Sequence, residues 1–255
     1  MFRLILIELK KIRRSRILWL LFLPLIILWL PSIFNAQNNL VTAAQQGISP
    51  GNNFFIQGSL GFTAFIYPAS MVVCTVLLIQ NERSGHGLLK MLALPVGRAA
   101  LSIAKFIVLV LLAAAQMLMN IIVYYVSAAI ASQISDTPLL LSPLMVFGSS
   151  ALILAAALPM LAFFWLLAVL IPSPVFSIGA GLASIVPAIL IANTRLWFIY
   201  PMSYPFYVIV TDYTRLSTVF SFQEIQPLRL IVTAIALLAA CLAGAGAGFG
   251  RYETR

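Results

Sequence analysis

The sequence predicts an all-α integral membrane protein that crosses the bilayer six times, with an amphipathic interfacial helix before the first span and a cytoplasmic helix between spans 2 and 3. Three observations carry that prediction. Of the 255 residues, 62% are hydrophobic and only 8% charged, against roughly a quarter charged in soluble domains. A water-facing exterior cannot be assembled from so few polar groups. No charge occurs between Arg16 and Glu82, or between Asp136 and Arg195. The basic residues are also unevenly placed, with Arg3, Lys10, Lys11, Arg13, Arg14 and Arg16 crowded beside Glu8 at the amino end. These features exclude a soluble enzyme, a disordered chain and a nucleic-acid-binding domain as primary readings.

Residues 1–16 place Phe2, Ile5, Leu9 and Ile12 on one helical stripe, with Arg3, Lys10, Lys11 and Arg14 pointing away. Such a helix lies on the inner leaflet, its cations near anionic headgroups. Residues 17–34 form the first span, interrupted by Pro24; 18 helical residues reach about 27 Å, close to the thickness of a bilayer core. The stretch from Asn35 to Gly58 is rich in Asn, Gln, Gly and Pro and is expected to be a loop, since unpaired polar groups do not persist in lipid. Residues 61–80 and 106–131 are the second and third spans, and Asp136 and Pro138 mark a short connection after them. The fourth span, 144–171, bends at Pro159; Pro172-Ser173-Pro174 then stops helix propagation, because proline lacks the donor and clashes with the preceding turn. Residues 175–193 are the fifth span, with Pro187 marking a bend. Residues 194–229 form an external interfacial region, where Trp197, Tyr200, Tyr204 and Tyr207 suit the headgroup level. Residues 230–249 complete the six, and the whole of 1–255 is expected to be a single transmembrane domain.

Six spans put both termini on one side. That side collects 12 of the 15 basic residues, while the other receives only Arg195, Arg215 and Arg229. The bias places both ends in the cytoplasm of a multi-pass protein of the cell membrane. The first apolar run is longer than a signal-peptide core and lacks a small-residue cleavage pattern, so it is expected to be retained.

Few residues offer chemistry. Cys74 and Cys241 stand alone within apolar runs and read as small buried hydrophobes. A single histidine, His86, cannot build a metal site. The run of Gly244, Gly246, Gly248 and Gly250 lies within an apolar span, so it is not a dinucleotide fingerprint, which opens a helix in water. Glycines at four-residue spacing instead let helices approach closely in lipid. Gln116 and Asn120 share a face of the third span. They are candidates for lining a path, although interhelical hydrogen bonding is the commoner use of such amides.

The connection at residues 81–105 is the most informative. A simple connector needs only a few residues, yet this one carries its own helical pattern. Leu88, Leu89 and Leu92 fall on one face around Lys90, and Pro95 ends the element. A charged helical insert beside apolar spans suggests a docking surface for a soluble partner. Glu82, Gly85 or Gly87, Leu94-Pro95, Arg98 and a Lys105 entering the third span follow in order. With the basic amino-terminal helix and the polar segment after span 1, this layout resembles the six-span permeases of type-2 ABC exporters. Within them it resembles the small bacterial permeases of lantibiotic immunity and peptide-antibiotic export.

The resemblance implies a subunit that hydrolyses no ATP itself, and the sequence contains no GxxxxGK[ST] phosphate cradle. It implies a partner ABC ATPase dimer that binds ATP and magnesium, and a second permease, either another copy or a different chain. The 81–105 segment would then be a coupling helix docked on the ATPase, with Glu82, Arg83, His86 and Lys90 as contact residues. The expected cargo is a lantibiotic or another amphipathic peptide or lipid-like compound. An ion-coupled carrier fits less well, because such carriers place ionisable groups inside spans and the six expected spans contain none. An intramembrane enzyme would need a nucleophile with a base, or paired acids, within the membrane, and neither is present in the spans. A non-transporting membrane anchor or assembly subunit is the remaining alternative.

Overall fold

A computed structural model describes Ile5, Glu8, Leu9 and residues 17–83, 97–192, 194, 197–216 and 227–249. The described residues form helices and turns, and six segments are long and apolar enough to cross a membrane. The first is α1 (Ile17–Phe34). Then follow α2 (Ala36–Gln46), α3 (Pro50–Gly61), a π-turn (Phe62–Ile66) and α4 (Tyr67–Arg83). The third and fourth crossings are α5 (Arg98–Ser135) and α6 (Pro143–Leu170). The fifth is split into α7 (Pro174–Ala183) and α8 (Val186–Ala192). Two 3-10 turns (Trp197–Ile199 and Pro201–Ser203), α9 (Tyr204–Leu216) and α10 (Pro227–Gly248) complete the chain.

The polar segment expected to be a loop is helical. Its Gly and Pro residues punctuate two helices rather than disrupt them. Gly47 takes a left-handed conformation after α2, and its N–H turns back toward the last-turn carbonyls, an ending that favours glycine. Ser49 then caps α3, its hydroxyl accepting from the Asn52 N–H, with Pro50 in the first turn. Helix formation satisfies the backbone of this stretch, and Asn53 is buried with its amide donating to the Asn39 carbonyl at 3.0 Å. The second apolar helix therefore runs from Pro50 to Gln80, rather than beginning at Gly61. Pro68 lacks the N–H that would reach the Ala64 carbonyl, and the π-turn lies immediately before it. Such a change of hydrogen-bond register is one way to carry a helix past a proline.

The third crossing also exceeds its expected limits. Helix α5 has 38 residues, about 57 Å at the helical rise, nearly twice a bilayer core. It absorbs Lys105, which was expected in the connection, and ends where Asp136 adopts a left-handed conformation. The fifth crossing breaks at Ser184, whose hydroxyl turns back to the Gly181 carbonyl.

Close packing fixes the two ends of the bundle. At the end formed by the start of α5 and the ends of α6 and α10, the Trp165 indole donates to Ser102 at 3.0 Å, and Trp165 stacks on Phe249. We call this the proximal end. At the distal end, α9 packs on the start of α6, where the Ser149 hydroxyl donates to the Asp212 carboxylate at 3.3 Å. Burial raises the Asp212 carboxyl above its ordinary range, partly offset by the Ser149 hydrogen bond and by Arg215.

Candidate functional site

Two groups of polar side chains lie inside the bundle. The first joins α1, α4 and α5. Gln116 and Asn120 stand one turn apart on α5 and are both buried. The Gln116 amide donates to the Ser70 hydroxyl at 2.9 Å and to the Leu21 carbonyl at 3.4 Å. Asn120 accepts from the Trp29 indole at 3.0 Å. Trp29 is fully enclosed, its ring centroid 5.6 Å from those of both Phe54 and Tyr124. Gly58 is what admits it, since a Cβ there would overlap the indole ring. The path-lining candidates of the sequence thus hold three crossings together through hydrogen bonds within one chain.

The second group lies at the proximal end. Lys105, two turns into α5, meets the Glu8 carboxylate at 3.1 Å, with the two side chains only 2% and 6% exposed. Ile5 and Leu9, flanking Glu8 on the same helical face, pack against the main apolar core. Two members of the stripe expected on the leaflet, Ile5 and Leu9, therefore pack on protein. The expectation that no span contains an ionisable group is corrected here: Arg229 falls at the very start of the sixth crossing, and Lys105 falls within the third. The reason is that α5 begins well before the expected boundary, and Glu8 offsets a cation otherwise costly to bury. Sequence reasoning missed this pair. Its available signal was Glu8 itself, three residues after Ile5 and beside Leu9, an acid on an apolar stripe.

The glycines of α10 sit at close approaches. A Cβ on Gly244 would lie 3.2 Å from Leu166, and one on Gly248 would lie 3.2 Å from Leu170 and 3.3 Å from Val169. Gly246 instead faces Ala99 of α5 at 3.6 Å. Glu82 and Arg83 close α4, but their side chains lie outside the described residues, as do Phe2, Ile12, His86, Leu88, Leu89, Lys90, Leu92 and Gly250. At the distal end Trp197 stacks on Tyr207, with ring centroids 3.8 Å apart. The Tyr200 and Tyr204 hydroxyls donate to the Ser184 and Phe198 carbonyls. Of the aromatic residues expected at the headgroup level, Trp197, Tyr204 and Tyr207 thus pack together beside Ile191, near the end of the fifth crossing, while Tyr200 packs against the main core. Among the described residues no cluster of His, Cys, Asp or Glu could hold a metal ion.

No curated protein and no solved structure matches the chain. The family described as ABC-2 family transporter protein matches residues 4–188, from the amino-terminal helix through all but the end of the fifth crossing. The chain belongs to that family and is a multi-pass permease component of an ABC transporter, a kind of subunit that works with an ABC ATPase.

Proposed function

We propose that this permease is the membrane-spanning part of an ATP-driven exporter, and that it docks its ATPase through the segment 81–105. The observation that carries the reading is the family match, which spans this segment together with the crossings on either side of it. In support, α4 and α5 approach the segment from both sides as long continuous helices, able to pass a push at their proximal ends into the membrane. Glu82 and Arg83 lie in the last turn of α4, so a force on that turn acts on the second crossing directly. Two permeases and two ATPases form the working unit, with ATP and magnesium bound by the ATPases. Both termini and the docking segment face the cytoplasm of a bacterial cell, and the cargo is an amphipathic peptide, such as a lantibiotic, or a lipid-like compound.

The orientation has a direct test. Cys74 and Cys241 are buried, so a membrane-impermeant maleimide added to intact cells has little background to report. Gln45→Cys, at an exposed position near the end of α2, is expected to be labelled from outside, and Ser84→Cys only after the membrane is opened. The reverse pattern would invert the topology.

The contact itself is tested by Glu82→Ala. A charge contact at the rim of a docking surface contributes about 1 kcal/mol or less, so the ATPase should stay bound. Hydrolysis by the reconstituted complex is expected to fall severalfold, because the residue at the point of force transfer is lost. Unchanged hydrolysis would remove Glu82 from the coupling path.

A further inference from the structure

We propose that the Glu8–Lys105 ion pair is a latch that fixes the amino-terminal helix to the proximal end of α5, so that the two move as one body. An amphipathic helix held only by lipid needs no acid on its apolar face, and an aqueous connector needs no buried lysine. Here both occur, 3.1 Å apart and almost entirely out of solvent. Each charge offsets part of the cost of burying the other there. Ile5 and Leu9 seat the same face against the core, giving the pair a fixed approach.

The proximal end of α5 is otherwise a junction. Ser102 receives the Trp165 indole from α6, and Ala99 lies against Gly246 of α10. Lys105, one turn further along, adds the amino-terminal helix to that assembly. The segment 84–97 runs directly into it, so a displacement delivered there reaches the third crossing and the amino-terminal helix together. This consequence for coupling rests on the docking reading above, whereas the latch itself does not.

Hydrogen exchange of the full-length chain in lipid nanodiscs, with no ATPase present, tests the latch separately. The variant carrying Glu8→Gln and Lys105→Met removes both members of the pair together and should fold, as reported by unchanged protection around Gln116 and Asn120. Its amides at residues 5–9 are expected to exchange at least about tenfold faster than in the wild type. The charge swap, Glu8→Lys with Lys105→Glu, is expected to restore most of that protection. Wild-type exchange at residues 5–9 in the neutral variant would overturn the proposal. So would a swap that fails to recover protection there while the Gln116 region stays protected.

Discussion

Trp29→Ala is expected to be among the most destabilising single substitutions in the described part of the protein. The indole is fully buried between α1, α3 and α5, over a glycine that leaves room for nothing larger. Removing it opens a cavity that rigid neighbours cannot fill, at a cost of about 3–5 kcal/mol for an aromatic-to-alanine change. It also takes away the donor that Asn120 accepts from, and an orphaned buried acceptor adds to the penalty. For a chain of this size the loss corresponds to a fall in Tm of about 6–20 °C. Trp19 provides the internal control: it lies on the same helix but is 62% exposed on the outer face of the bundle, so Trp19→Ala should move Tm little. Thermal unfolding of both variants in one detergent checks the contrast. Equal shifts would mean that the Trp29–Asn120 seam does not hold the crossings together.

The number of crossings was legible because apolar runs free of charge leave few alternatives. The first crossing matches its expected limits, 17–34, and the fourth and fifth lie within a residue of theirs. The polar stretch after the first crossing departs from expectation because its helix signals outweigh its composition. Gly47, Ser49 and Pro50 were visible as punctuation, yet they are a helix stop and a helix start. The Asn and Gln around them are tolerated because the backbone is satisfied within helices, with Asn53 turned inward onto the Asn39 carbonyl and Gln45 exposed. Helix α5 exceeds its expected length for a related reason: a lysine ordinarily marks water, whereas Lys105 is buried against Glu8.

The candidate site was readable only in its local geometry. One-turn spacing put Gln116 and Asn120 on a common face, and four-residue spacing of Gly244 and Gly248 announced a close helix contact, here with α6. Which groups they meet depends on tertiary packing. Neither Trp29 and Ser70 as amide partners nor Glu8 as the partner of a distant lysine carries a pattern in sequence.

The proposed coupling requires that this permease bind a separate ATPase through the apolar face of the segment 81–105. Most of the docking affinity should come from Leu88, Leu89 and Leu92 rather than from charge, because exposed ion pairs contribute little. Replacing Leu89 and Leu92 with Asp would force two carboxylates into the contact without partners, a burial that costs several kcal/mol. Each 1.4 kcal/mol is about tenfold in affinity, so a loss of a hundredfold or more is expected. The decisive measurement is copurification of the ABC ATPase with the tagged permease from membranes, comparing the wild type with the double Asp variant at equal permease recovery. Stoichiometric ATPase is expected with the wild type and essentially none with the variant. A double Asp variant that retains its ATPase would place the docking surface elsewhere and contradict the proposed coupling.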